Sequence, residues 1–268
     1  VAGSPEFDQI LHCTGWWPPE RISCSVDSGA EAAPPPELAA AVEAAWQDHL
    51  ARYPRDFDGR ILHPKAWQVD SAGVRLQAVP MRFALLAARR APQFSAAQRR
   101  RIPGPLGLSV IPMGSDGQVV VARRSASVSV ARGSLFFFGG FGEPPAPGAG
   151  LDLCAEALRE LHEELGEGFE VRRFGMLGIG EHSAGHLDVT FLAELDRTAV
   201  TVIAGAAGAS DAHEWDRLAA VAPDALMHLV PADLGARCTT FAFDLGRWLL
   251  ARHLDLPPPA MPFASRAG

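Results

Sequence analysis

Five glutamates that share one helical face are the residues best placed to do chemistry in this 268-residue chain. On a helix advancing about 100° per residue, Glu156, Glu160, Glu163, Glu164 and Glu167 fall within an arc of roughly 100°. Leu151, Cys154, Leu158, Leu161 and Leu165 fall on the opposite side, a greasy back for packing. Such a front is costly for a bare helix, because like charges three or four residues apart lose about 0.2–0.5 kcal/mol per pair. A divalent cation turns that cost into a ligand set, since hard cations such as Mg²⁺ select carboxylate oxygens. The plain alternative is a solvated acidic face. Solvated faces usually interleave both signs, yet no Lys or Arg lies on this stripe, and Arg159 sits to its side.

The string Arg159-Glu160-Leu161-His162-Glu163-Glu164-Leu165-Gly166 resembles the signature helix of the Nudix hydrolases, Arg-Glu-apolar-x-Glu-Glu-x-Gly. Three family positions around it differ. Leu151 stands where the pattern has a Glu, Pro145 where it has a Gly, and Glu167 where an apolar residue follows the Gly. Gly139-Gly140-Phe141-Gly142-Glu143 looks like the usual glycine loop displaced upstream, with Pro144 to Gly150 as an inserted Pro/Gly-rich stretch. Glu143 then either replaces the missing Glu and pairs with Arg159, or nothing does.

The resemblance implies Mg²⁺-dependent cleavage of a diphosphate, with Mn²⁺ as a substitute. It makes Glu160, Glu163 and Glu164 metal ligands, together with the Gly139 carbonyl, and Arg159 the residue that orients the carboxylates through its planar fork. Cleaving a diphosphate needs charge neutralisation, an oriented water and a group to take its proton, so one carboxylate must stay free to act as base. Glu160 and Glu163 are candidates, as is Glu214 in Asp211-Ala212-His213-Glu214-Trp215; the plain alternative for Glu214 is a surface Glu beside a packed Trp. Arg123 and Arg124 end a strand facing the glycine loop, and because adjacent strand residues face opposite ways at most one reaches a substrate phosphate. Glu181, His182, His186 and Asp188 form a further polar cluster around a Ser183-Ala184-Gly185 turn. Arg55 to His63, Leu177 to Gly180 and Ala212-His213-Glu214 resemble the branch of the family that hydrolyses UDP-glucose and UDP-galactose. Trp16, Trp17 and Phe57 could stack on its uracil ring or be core aromatics.

The elements that must position these residues read as α/β, a Nudix-like α/β/α sandwich with a mixed sheet behind a small α+β segment. Val1 to Phe7 reads as a cloning scar and is set aside. Residues 8–105 form the α+β segment, a candidate specificity element: strands at Ile10 to Cys13 and Arg21 to Val26, a helix from about Glu37 to Arg52, strands at Arg60 to Val69 and Val74 to Val79, and a polar boundary from Ala91 to Pro105. Residues 106–268 form the hydrolase domain. Its expected strands are Leu108 to Met113, Val119 to Arg124, Leu135 to Phe138, Phe174 to Gly180, Asp188 to Leu195 and Leu218 to Val221. Its helices are the acidic one, with Asp152 as N-cap and Gly166 ending it, and a terminal one from about Ala232 to His253.

Composition bounds the partners. A net charge of −7 argues against general affinity for nucleic acid, and the 23 Arg against a single Lys65 reads as codon bias. No apolar run approaches the roughly 18–20 residues of a membrane span. The scattered Cys13, Cys24, Cys154 and Cys238 suit neither a zinc site nor a disulfide framework, and a cytoplasmic protein is expected. The partner expected is a small-molecule nucleotide; pairing into a homodimer is compatible with the family resemblance.

Overall fold

Leu106 to Met113 is buried over almost its whole length, as a strand covered on both faces must be. It lies at the centre of the fold in a computed structural model that describes residues 9–146, 150–182, 185–259 and 263–265. In chain order the elements begin with β1 (Gln9–Trp17), β2 (Ile22–Val26), α1 (Pro36–Arg52), β3 (Arg60–Asp70), β4 (Gly73–Arg82), α2 (Phe83–Arg90) and α3 (Ala96–Arg101). They continue with β5 (Leu106–Met113), β6 (Val119–Arg124), β7 (Leu135–Phe136), α4 (Leu153–Leu165), β8 (Val171–His182) and β9 (His186–Leu195). Then come α5 (Ala199–Gly205), β10 (Trp215–Val221), α6 (Pro223–His228), α7 (Phe241–His253) and β11 (Phe263–Ser265). The residues expected to be a cloning scar, and Ser183 and Ala184 of the expected turn, lie outside the described residues.

Among the described residues, the main sheet runs β10-β6-β5-β9-β8-β1-β11, with β7 on β6, and a three-stranded sheet runs β2-β4-β3. The main sheet is mixed: β5 and β9 are parallel, β8 and β9 antiparallel. Alternation divides its side chains between two faces. Leu108, Val110, Val189 and Phe191 meet Cys154, Ala157, Leu161 and Leu165 of α4 on one face. Ile111, Leu177 and Leu192 meet Phe243, Leu245 and Leu249 of α7 on the other. This is a mixed α/β fold with helices on both faces of the large sheet. Residues from the smaller sheet, Leu62, Val74, Leu76 and Ala78, join the same apolar cluster as the back of α4.

Several elements differ from the sequence expectation. β1 runs on to Trp17 and pairs with β8, so the first strand of the N-terminal segment lies inside the main sheet. α2 was not expected: Ala84, Leu85, Leu86, Ala87 and Ala88 are all buried, which leaves no polar stripe to mark it as a helix. The terminal helix begins at Phe241 rather than Ala232, because Gly235 turns left-handed at φ 67° and Thr240 caps a fresh start by accepting from the Phe243 N–H at 3.0 Å. α5 and α6 are additional.

Candidate active site

The helix that carries the glutamates is fixed at both ends. The Asp152 carboxylate accepts from the Cys154 and Ala155 N–H groups at 2.9 and 3.0 Å. Gly166 ends the helix at φ 82°. At that end the 209–215 segment folds back onto the last turn. The Asp211 N–H donates to the Glu163 carbonyl at 2.8 Å and the Trp215 indole N–H to the Glu164 carbonyl at 2.9 Å. These bonds satisfy carbonyls that the helix itself leaves open.

On the acidic face Arg159 acts as a collector. Its guanidinium donates to Glu156 at 2.7 and 3.1 Å, to Glu160 at 2.7 Å, and to Glu163. Hydrogen bonds to Glu156 and Glu163 hold the guanidinium firmly charged. Glu156 therefore takes the part weighed for Glu143, which is exposed.

Glu160 and Glu164 remain short of compensation. Burial, only partly offset by Arg159, pushes the Glu160 carboxyl up to about 7. Glu164 is 2% exposed. Its Oε2 accepts from the Gly139 N–H at 2.8 Å, while its Oε1 is buried and meets no partner among the described residues. Burial holds its proton affinity well above the usual carboxylate range. The Glu160 carboxylate lies against Gly140 so closely that a Cβ there would sit 2.5 Å from its Oε2. Two under-compensated carboxylates thus face one glycine loop.

That loop also lines a cleft of about 560 Å³, within the range usual for small-molecule sites. Arg89, Arg90, Arg99, Arg100 and Arg124 all line it. Arg89 is 5% exposed; its Nη1 donates to the Ile102 carbonyl, and its Nη2 is buried without a partner among the described residues. Burial brings this guanidinium down to about 10. Arg124 donates to Glu214 at 2.7 Å and to the Val130 carbonyl at 3.1 Å. Glu214 is close enough to Glu164 to raise its proton affinity further.

The structure thus brings Arg159, Glu160, Glu163, Glu164, Gly139, Arg124 and Glu214 to one edge of the sheet. Three expected residues are not brought there. Arg123 turns away, to Asp216 at 2.6 Å and to the Leu234 and Gly235 carbonyls at 3.2 Å. Trp17 packs against the main apolar cluster, and Phe57 is 78% exposed on the loop before β3. The 91–105 stretch, read as a polar boundary, supplies Arg99 and Arg100 to the cleft. Arg89 and Arg90 come from the unexpected α2. The one available signal was the clustering of arginines between residues 89 and 101, hidden by a chain rich in Arg throughout.

Among the described residues, no three His, Cys, Asp or Glu side chains converge as a closed cage for an ion. Arg159 draws Glu156, Glu163 and one oxygen of Glu160 to itself. What remains, the second oxygen of Glu160 and the unpartnered Oε1 of Glu164, is a donor set of hard oxygens from two carboxylates. That fits Mg²⁺, which binds through one or two carboxylates and takes its other ligands from water and substrate phosphate.

A mixed α/β protein with a carboxylate helix beside an arginine-lined cleft is the class that fold and site define. No family model matches the chain, and no curated protein matches it. Among solved structures it is similar to the MutT protein from Methanosarcina mazei Go1, at 12% identity and a TM-score of 0.35, over 56% of this chain and 93% of that one. It is also similar to DR0079 from Deinococcus radiodurans, at 17% identity and 0.39, over 59% and 86%. A Nudix hydrolase from M. smegmatis, RenU, gives 18% identity and 0.33, over 59% and 89%.

Proposed function

We propose that the chain is a Nudix-type pyrophosphohydrolase that uses Mg²⁺ to cleave the diphosphate of a nucleoside diphosphate-linked compound, a UDP-sugar first of all, to UMP and sugar 1-phosphate. One observation carries the reading. Glu160, whose burial Arg159 only partly offsets, and Glu164, with its unpartnered Oε1, meet the Gly139–Gly140 loop, and that loop also lines a cleft walled by five arginines. A buried carboxyl oxygen left without a partner is costly, and so is a buried guanidinium with an open N–H. A diphosphate with its cation resolves both costs at once.

Glu160 and Glu164 would hold the ion, which when bound neutralises phosphoryl charge and makes water more acidic. The remaining tasks fall to the chain. Arg124 and the arginines of α2 and α3 orient the diphosphate. Arg159 keeps Glu160 turned toward the loop. Glu214, held by Arg124 opposite Glu164, takes the proton as the water oxygen bonds to phosphorus and the bridging P–O bond breaks.

The test is phosphate release, through a coupled phosphatase, from UDP-sugars, ADP-ribose, dinucleotides and coenzyme A, with and without Mg²⁺. Glu164→Gln is expected to lose both Mg²⁺ affinity and turnover. Glu214→Gln keeps the affinity and loses at least a hundredfold in kcat, the range of a general base. A second reading, a nucleotide-binding module without turnover, draws on Arg159's grip on Glu163 and on the open donor set. It predicts that UDP-sugar binds and nothing is released.

A further inference from the structure

Beside the cleft lies a second, smaller pocket of about 280 Å³, bordered by His63, Trp67, Arg89, Arg100, Arg101 and Glu181. Diphosphate hydrolysis makes no use of it. Arg89 and Arg100 border both spaces, whereas Arg101 borders the small pocket alone and Arg90 the cleft alone. Two glycines of the small pocket locate the Arg89 guanidinium. A Cβ on Gly185 would sit 3.0 Å from its Nη2, and one on Gly104 would sit 3.2 Å from its Cζ. Neither glycine borders the cleft. Arg89 is 5% exposed, and its Nη2 is buried and meets no partner among the described residues. That nitrogen carries two N–H groups, so an oxygen in the small pocket takes one and leaves the other for the cleft.

The pocket offers acceptors as well as donors. The His63 Nδ1 lies 2.7 Å from the Gly104 carbonyl. A carbonyl only accepts, so Nδ1 carries the proton. Burial and the nearby Arg89 charge lower the proton affinity of the ring, which leaves it neutral at pH 7. Its Nε2 is then a bare acceptor with no hydrogen bond among the described residues. Glu181 stands close enough to Arg89 to favour the charged guanidinium. Its Oε2 lies 3.0 Å from the His12 Nε2, and its Oε1 has no hydrogen bond among the described residues. At the rim Arg101 pairs with Glu37, and both side chains are exposed. Three guanidiniums thus face one pocket carboxylate and one neutral imidazole.

An oxyanion that both accepts and donates answers this set. A phosphate that keeps one proton does so. Sulfate has the same shape but no proton to give, and so leaves the His63 and Glu181 acceptors unanswered. At about 30 Å³ for each water in the liquid, the pocket has the volume of roughly nine waters. That exceeds a bare phosphate with its five heavy atoms, and the half-buried Trp67 indole offers an apolar wall for a group attached to it. We propose that this pocket binds a small phosphate monoester, its phosphoryl oxygens accepting from Arg89, Arg100 and Arg101 and its remaining hydroxyl donating to His63 or Glu181. The proposal stands apart from the diphosphate reading, since Gly104, Gly185, His63, Glu181 and Arg101 take no part in the cleft. A site built around a hydrogen bond rejects the analogue that lacks it, because its own polar group is then left unpaired.

The experiment is calorimetric titration of the full chain with glucose 1-phosphate, inorganic phosphate and sodium sulfate, in chelator at about pH 6, where about half of a phosphate monoester keeps its proton. Without Mg²⁺ no turnover intervenes. Glucose 1-phosphate is expected to bind at least tenfold more tightly than sulfate, and more tightly than inorganic phosphate. Arg101→Glu, an exposed change at the small pocket alone, is expected to weaken the ester at least fivefold. Arg90→Gln, at the cleft alone, leaves it within twofold. Arg89→Lys keeps a donor for the Ile102 carbonyl and removes the open Nη2, at an expected cost of tenfold or more; if that variant does not fold, Arg101→Glu decides alone. Sulfate that matches the ester overturns the proposal, as does inorganic phosphate that binds more tightly than the ester. So does a larger loss in Arg90→Gln than in Arg101→Glu, which would put the anion in the cleft, or the absence of binding by all three. Ester binding that follows the expected pattern in a chain that releases no phosphate from any diphosphate would sink the hydrolase reading and leave the pocket standing.

Discussion

Gly139 and Gly140 are adjacent, yet they hold the site in different ways. Gly139 adopts φ 127°, and a Cβ there would run into the Leu108 carbonyl oxygen, which is main chain and cannot yield. Gly139→Ala should therefore cost stability, about 1–3 kcal/mol by urea denaturation, whatever it does to activity. At Gly140 the obstacle is the far end of the Glu160 side chain, which can swing aside. Gly140→Ala should melt within a few degrees of wild type and lose at least tenfold in kcat, because it displaces a carboxylate and not a strand. The opposite ranking in melts and rates on the same preparations would mean the loop does not position Glu160. Asp188 gives a test by pH. Burial pushes its carboxyl from 3.8 up to about 7, against hydrogen bonds from Ser109 and Thr190 that favour the anion. The folded state thus keeps a proton that the unfolded chain releases. The stability tied to that proton is complete below about pH 4 and is lost as pH rises to about 7. Asp188→Asn, which has no such proton to lose, should gain on wild type across that window by on the order of 2–4 kcal/mol. Denaturation at four pH values measures it, and a constant gap would rule out a carboxyl so deprived of charge.

At the scale of the element, α4 shows what a sequence displays and what it conceals. Its start and stop are local chemistry. Asp152 and Gly166 stand where a cap and a terminator must, and the apolar back and acidic front repeat at helical spacing, so the element and its carboxylate face were both legible. Asp152→Ala should cost about 1 kcal/mol of stability, since it strips two backbone N–H groups of their acceptor. The clamp at the other end was not legible. Trp215 reaches the Glu164 carbonyl from 51 residues away, and nothing local announces a partner so distant. Trp215→Phe keeps the apolar ring and removes the N–H, an expected loss of about 1 kcal/mol. Turnover should fall by more than that, because the freed carbonyl belongs to the turn that carries Glu163 and Glu164. Equal losses in stability and activation free energy, compared by melts and kcat, would reduce Trp215 to packing alone. The α2–α3 wall was concealed for a different reason. A helix buried on every side shows no periodic stripe, and arginines in a chain that uses Arg almost to the exclusion of Lys look like background. For Trp17 and Phe57 ring type alone left a stacking surface and a core residue both open; Trp17 packs against the main apolar cluster and Phe57 is exposed.

Over the whole molecule, net charge and local charge part company. The chain carries −7, yet a cleft of about 560 Å³ is walled by five arginines, so the overall balance said nothing of the pocket. The core likewise crosses the position where composition shifts. Leu62, Val74, Leu76 and Ala78, from before residue 105, share one apolar cluster with Leu153, Cys154 and Leu161 of α4. β1 pairs with β8 through Ile10, Leu11, Cys13, Thr14 and Trp17. A chain beginning at Leu106 would bare the back of the carboxylate helix, open the β8 edge to pairing with other chains, and remove Arg89, Arg90, Arg99 and Arg100 from the cleft. We expect that fragment to be aggregation-prone, with no cooperative melting transition. Supplying residues 1–105 as a separate chain should restore both the transition and Mg²⁺-dependent phosphate release, because the missing contacts are packing and strand pairing and need no covalent link. A fragment from Leu106 that melts cooperatively by itself would show that the N-terminal segment only decorates a finished core. Recovery of the transition without phosphate release would show that the segment completes the core while the covalent link is needed to seat the arginines of α2 and α3.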